Sequence, residues 1–383
     1  MKKLLLFFLT TSLFHINMLS AQETLIHDGT VREYFVHVPT NYEADESWPL
    51  VINMHGYGSS RVEQMLYSGF NAIADANNFL VVYPQGLPDA LGTAHFNAYF
   101  SPSDIDDVGF IDQLIDQLYT DYNLDLKRVY STGMSNGGFM SYRLACELPE
   151  RIAAIASVTG SMLTIQVDNC EPMRPIPTMQ IHGTEDETVP FAYEPNFFAF
   201  GEGIADVVGY WVNNNSCEGS PDTVTIEDIN AFDESTASLL TWSDCGMDTE
   251  VQFYIVDNGG HTWPGAFPIA TLGNTNADFF ASQVIWDFFS RFEHPDPKAG
   301  TLLSTTSFQA VQDIEISPNP FQDVLRVEGE VLRLELYDAV GKLVQVAQFQ
   351  NTDAHLLTTN LKAGVYLLSV ETKAGKRVYK VVK

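Results

Sequence analysis

Over the first three quarters of the chain, short β-rich apolar runs alternate with stretches whose apolar residues recur at helical spacing. Leu25-Ile26-His27 and Val31 to Val38 flank Asp28-Gly29, a two-residue turn signal, and predict a hairpin. Pro49 to Met54, Arg128 to Thr132, Met179 to Ile181 and Val251 to Val256 read as strands. Ile111, Leu114, Ile115, Leu118 and Tyr122 form one apolar stripe on a helix over 109–122. Further helices are expected over 138–147, near 203–214 and near 278–292. This alternation predicts a doubly wound, mostly parallel α/β sheet whose loops carry any site.

The rhythm stops at Pro295. Pro295, Pro297, Gly300 and Ser304-Thr305-Thr306-Ser307 mark a linker over 295–312. From 313 to 383, short apolar runs recur at about ten-residue spacing, as expected for a small all-β sandwich. At the other end, Lys2 and Lys3, the apolar stretch Leu4 to Phe14 and Leu19-Ser20-Ala21 read as a signal peptide over 1–21. That leaves 22–294 for the α/β domain. No other long apolar segment occurs, and no transmembrane segment is expected.

The formal charge of −29 is unevenly spread. Residues 22–312 hold 9 Lys+Arg against 40 Asp+Glu, which is −31, whereas 313–383 hold nine of each. Such acidity favours solubility and excludes nucleic acid as a partner, because phosphate binding needs a basic footprint. Export permits disulfides, and four cysteines allow three pairings. Nearest-in-sequence pairing, Cys146 with Cys170 and Cys217 with Cys245, closes modest loops within one domain and is the expected one. The nine histidines lack metal-site spacing. Asp106-Asp107 resembles a metal pair, but it precedes a helix, where carboxylates favour the N-terminus. No metal and no cofactor are expected.

Candidate chemistry centres on Gly133-Met134-Ser135-Asn136-Gly137, a G-x-S-x-G turn between a strand and a helix. A serine there is a nucleophile only with a base, an orienting acid and an oxyanion hole. The expected chain order is serine, acid, histidine. Asp186 lies on the loop after the strand at 179–181, between Glu185 and Glu187. His261 follows Gly259-Gly260 after the strand at 251–256, where a general base belongs. The backbone N–H of Asn136, next to the nucleophile, is one expected oxyanion donor. The other is that of Tyr57, in the loop His55-Gly56-Tyr57-Gly58. His55 and His182 each precede glycine at a strand end and read as loop-shaping residues.

Together, His55-Gly56-Tyr57-Gly58, the elbow with Gly138, His182-Gly183-Thr184-Glu185-Asp186 and Gly260-His261-Thr262-Trp263-Pro264-Gly265 resemble the polyhydroxybutyrate depolymerase-like esterases. These are relatives of the feruloyl and acetylxylan esterases of carbohydrate esterase family 1. The likeness spans about residues 24–292. It implies a cofactor-free ester hydrolase with Ser135 as nucleophile, Asp186 as acid and His261 as base, and it selects Asp186 over the flanking glutamates. Trp263 is expected to contact substrate. Phe191, Tyr193, Phe197, Phe198 and Phe200 follow the acid and read as core or loop packing rather than the wall of an aromatic acyl pocket.

The C-terminal segment carries Ile314 to Phe321, Leu336 to Lys342, Leu361 to Tyr366 and a final strand from Lys376 to Lys383. It resembles the C-terminal sorting domain of the type IX secretion system. That implies a partnership with the secretion machinery, passage through the outer membrane, and a secreted or cell-surface enzyme. Feruloyl or acetyl esters of plant polysaccharides are the leading expected substrates, and polyhydroxybutyrate or another polyester is the alternative. A non-catalytic surface binder is the alternative of another class, against which the complete triad argues.

Overall fold

In the computed structural model, the described residues are 20–99, 103–192, 202–300, 315–338, 343–362, 364–372 and 375–383. Most of the expected signal peptide, residues 1–19, lies outside them, as do Tyr193, Phe197, Phe198 and Phe200. The chain divides into two units, Met1–Leu302 and Leu303–Lys383.

The larger unit opens with the hairpin β1 (Ser20–His27) and β2 (Thr30–His37) around Asp28 and Gly29, both at positive φ. Then come β3 (Trp48–Met54), α1 (Arg61–Ser68), α2 (Phe70–Asn77), β4 (Leu80–Pro84) and a two-stranded excursion, β5 (Leu87–Pro88) with β6 (Ala94–His95). Next are α3 (Asp107–Asp121), β7 (Leu124–Met134), α4 (Asn136–Glu147), β8 (Ala154–Val158), α5 (Thr164–Asn169) and β9 (Thr178–Gly183). The unit closes with α6 (Ile204–Asn214), β10 (Asp222–Thr225), β11 (Thr236–Trp242), β12 (Val251–Asp257) and α7 (Ala281–Phe289).

Ten strands form one sheet in the order β1-β2-β4-β3-β7-β8-β9-β12-β11-β10. The six central strands, β4 to β12 in that order, are parallel, and an antiparallel pair flanks them on each side. Burial on both faces explains why the central strands are nearly continuous apolar runs. Along β3, Leu50, Ile52 and Met54 enter one core, with Ile111, Leu114, Phe139, Leu144 and Trp211 from α3, α4 and α6. Val51 faces the other, with Phe70, Ala281, Ile285 and Trp286 from α2 and α7. Helices on both sides of a mostly parallel sheet make the expected doubly wound fold.

The acids before α3 serve structure. Asp106 caps the helix by accepting the Gly109 N–H at 2.9 Å. Asp107 is fully buried and pairs with Arg32 at 2.5 Å. The expected linker begins as packed chain, since the Lys298 N–H donates to the Glu150 carbonyl at 2.8 Å and its Nζ to Asp112 at 2.7 Å. Removing those residues would cost the larger unit contacts.

The smaller unit is all-β. Strands β13 (Glu315–Ser317), β14 (Val324–Asp338), β15 (Leu343–Leu357), β16 (Val365–Thr372) and β17 (Gly375–Val382) are joined by antiparallel pairing among the described residues. Leu325, Leu334, Leu336, Leu356, Leu368 and Val381 belong to its own core.

Both expected disulfides are present, Cys146–Cys170 and Cys217–Cys245, with no free cysteine. They close loops of 24 and 28 residues, each worth about 3 kcal/mol if the loss of unfolded-chain entropy dominates. Intact-mass analysis after alkylation without reductant should find no modified cysteine. Reduction should lower the melting temperature of the larger unit.

Candidate active site

The site lies where the parallel strands end. The sharp turn after β7 puts Ser135 at φ 54° and ψ −120°, a region closed to most side chains. It is held by its own N–H to the Val158 carbonyl at 2.9 Å. The flanking glycines have a steric cause. A Cβ on Gly133 would lie 2.6 Å from the Met54 carbonyl oxygen, and one on Gly137 2.2 Å from it. The elbow is pressed against the end of β3, and any larger residue would lift it off.

The same approach brings the loop after β3 to the serine. A Cβ on Gly56 would sit 3.4 Å from Ser135 Cβ and 3.9 Å from its Oγ. His55 shapes this loop, as expected. Its Nδ1 donates to the Gly56 carbonyl at 2.7 Å and its Nε2 accepts the Gly86 N–H at 3.0 Å. Burial lowers its pKa to about 4, so the ring is neutral at physiological pH. The backbone N–H groups of Tyr57 and Asn136 donate to no acceptor among the described hydrogen bonds. The Tyr57 ring is about half exposed and bonds Asp89 at 2.5 Å. The Asn136 side chain clasps the Phe96 backbone, accepting its N–H at 2.7 Å and donating to its carbonyl at 3.0 Å. That second duty of Asn136 had no sequence signal.

Asp186 and His261 follow the adjacent parallel strands β9 and β12. Their loops touch, since a Cβ on Gly183 would lie 2.2 Å from the Gly259 carbonyl oxygen, and the Glu185 N–H donates to that carbonyl at 2.9 Å. His261 Nδ1 meets Asp186 Oδ2 at 2.8 Å. Asp186 Oδ1 accepts the N–H groups of Thr188 and Val189, both at 2.8 Å. Burial would raise the Asp186 pKa, but hydrogen bonds from His182 and His261 outweigh it and hold the carboxyl well below the ordinary range. Of the three adjacent acids, Asp186 is the one joined to the histidine. The contact of His182 with Asp186, at 3.3 Å, was missed, though the spacing of four residues hinted at it.

Trp263 needs correcting. It is fully buried, its indole N–H donates to Ser282 Oγ at 3.1 Å and its ring packs edge-on to Phe70. A large apolar ring beside a loop with α2 and α7 beneath it gains more by filling the core than by facing substrate. Its role is to anchor the His261 loop. Phe191 likewise packs, stacked on Phe253. One group of potential metal ligands occurs among the described residues, His27, Asp28 and Asp106, within 4.8 Å of one another. His27 is already engaged with Gln113 at 2.8 Å and Asp106 with the α3 N-terminus, so the group ties the hairpin to the helix.

The comparisons with known proteins agree with this architecture. Residues 40–201 match the phospholipase/carboxylesterase family, and residues 315–383 match the secretion system C-terminal sorting domain. The larger unit thus has an α/β-hydrolase fold and includes a segment similar to carboxylesterases, and the smaller unit is similar to a secretion sorting domain. It is 27% identical over 272 residues to the bifunctional acetylxylan esterase/xylanase XynS20E of Neocallimastix patriciarum, covering 70% of this chain and 34% of the relative. The chain therefore spans about a third of that protein. Feruloyl esterase D of Neurospora crassa is 25% identical, with 69% of this chain and 83% of the relative covered. The acetyl xylan esterase structure from Aspergillus awamori superposes with a TM-score of 0.50 at 15% identity, over 70% of this chain and 99% of that one, and shares the fold. Among the described residues, no helix is long and apolar enough to cross a membrane.

Two outcomes follow from the geometry. Asp186→Asn should lower kcat far more than Glu185→Gln or Glu187→Gln, because the amide cannot hold the histidine in its working tautomer. A steady-state comparison of the three variants checks this. His55 has a folded pKa near 4 against an ordinary 6.5, so the unfolded chain binds its proton first as pH falls. Its contribution is complete above about pH 6.5 and is lost between there and about pH 4. The drop in unfolding free energy from about pH 7.5 to about pH 4.5 should be roughly 2–3 kcal/mol smaller in His55→Gln, as read by denaturant titration at both pH values.

Proposed function

We propose that this protein is an exported serine esterase that works through an acyl-enzyme. Ser135 attacks the ester carbonyl while His261 Nε2 takes its proton. The tetrahedral oxyanion is met by the backbone N–H groups of Tyr57 and Asn136. His261 returns the proton to the departing alcohol, then activates the water that frees the acid. Asp186 fixes the ring with its proton on Nδ1 and stabilises the imidazolium. The observation that carries this reading is the buried 2.8 Å bond between Asp186 and His261, on loops that leave the same end of the parallel strands as the strained serine elbow.

Feruloyl or acetyl esters of plant polysaccharides are the proposed substrates, supported by relatives named for acetylxylan and ferulate. The mature enzyme would begin near residue 22 after loss of the signal peptide. The secretion machinery would recognise the segment 313–383, whose removal would release the enzyme or leave it at the cell surface.

The test is activity of wild type and Ser135→Ala on methyl ferulate, acetylated xylan, p-nitrophenyl acetate and polyhydroxybutyrate film. Ser135→Ala should lower kcat by roughly 10⁴- to 10⁶-fold, and a fluorophosphonate probe should label wild type alone. Retained activity in Ser135→Ala would remove the serine mechanism. Turnover confined to the polyester film would replace the polysaccharide substrates.

A further inference from the structure

The buried acid carries a second imidazole to which the reaction above gives no part. His182 is fully buried at the end of β9, four residues before Asp186. Its Nδ1 lies 2.9 Å from Gln180 Nε2. Its Nε2 lies 2.8 Å from the Val189 carbonyl and 3.3 Å from Asp186 Oδ2. The Gln180 amide is oriented independently of this histidine, because its Oε1 accepts the Tyr142 hydroxyl at 2.6 Å and its Nε2 donates to the Gly160 carbonyl at 2.8 Å. An amide nitrogen only donates, so His182 Nδ1 must accept. The ring proton then sits on Nε2, facing the carbonyl and the carboxylate.

We propose that His182 is a positioning residue of the triad: a neutral imidazole that shares its Nε2 proton between the Val189 carbonyl and Asp186 Oδ2, holding the carboxylate that orients His261. The proposal rests on the triad reading. With His182 in place, Asp186 accepts from four donors, the N–H groups of Thr188 and Val189 on Oδ1 and the two imidazoles on Oδ2. A carboxylate has about four acceptor sites, and all are used. The titratable groups facing Asp186 are His182 and His261, and beyond Gln180 stands the Tyr142 phenol, which burial keeps protonated. The chain of bonds starts on α4, the helix the nucleophile opens, and ends on the acid.

Loss of the His182 proton from Asp186 has a signed effect. A carboxylate with one donor fewer stabilises the His261 imidazolium more strongly, so the free base appears only at higher pH. Its position is also less fixed, which lowers kcat more than it raises KM.

The experiment uses the full chain and p-nitrophenyl acetate, with kcat and KM measured from about pH 5 to about pH 9. His182→Leu should lose about 10- to 100-fold in kcat, the scale of a hydrogen bond to a charged group, with KM within about threefold of wild type. Its acid limb of kcat/KM should move up by roughly half a unit or more. His182→Gln keeps an N–H donor and should stay within about threefold of wild type in kcat. Unchanged kcat and acid limb in His182→Leu would overturn the proposal, as would equal losses in both variants with an unmoved limb. Should His182→Leu fail to fold, imidazole nitrogen NMR of wild type decides. A neutral ring protonated on Nε2 throughout supports the proposal, and a proton on Nδ1 or a charged ring overturns it. Wild type that a fluorophosphonate does not label at Ser135 would bring down the triad and this proposal with it. Labelled wild type beside an indifferent His182→Leu brings down this proposal alone.

Discussion

The close approach between the end of β3 and the serine elbow is the constraint on which the site depends. Glycine at 133 and 137 lets the turn come within contact of the Met54 carbonyl, and the same contact delivers the loop 55–58 to the side of Ser135. Ser135 and the backbone N–H groups of Tyr57 and Asn136 are thereby set by one backbone-to-backbone fit, with no flexible side chain between them. The cost is the strained conformation of Ser135, which the bond to Val158 and the N-terminus of α4 sustain.

Asp186 and His261 depend on a second fit of the same kind. Adjacent parallel strands β9 and β12 end level, and a Gly–Gly turn lets their loops touch. The carboxylate is taken out of water there and is compensated by donors on every side. A buried anion so compensated stays ionised, whereas an incompletely paired one would take up a proton. His261 is held from below by the buried Trp263, whose indole reaches Ser282 on α7.

Much of this was legible in the sequence because the decisive signals are local. Ser135 and its glycines sit within five residues, and four of the six central strands, β3, β7, β9 and β12, read as β-rich runs bounded by turn residues. The hairpin at Asp28-Gly29, the helices α3, α4, α6 and α7 and both disulfide pairings are legible for the same reason. What was not legible depends on distant partners. Nothing near Trp263 says that Phe70 and Ser282 will enclose it, and nothing near His182 says that Gln180 is already committed to Tyr142 and Gly160. The strands β4, β8, β10 and β11 and the helices α1, α2 and α5 had no sequence reading of their own, and β10 in particular is short and exposed, with its pairing partners thirteen or more residues on.

That modest strand also bears on self-association. A ten-stranded sheet ends in open hydrogen-bonding groups, which can recruit the edge of a second copy and start aggregation. Here the last strand, Asp222–Thr225, is four residues long, fully exposed, and begins with a charge. So short a template offers another chain few ladder bonds, and joining it would place the acidic surfaces of two copies against each other. At that edge of the sheet, the strand that contributes least to the core thus leaves little for a second copy to pair with.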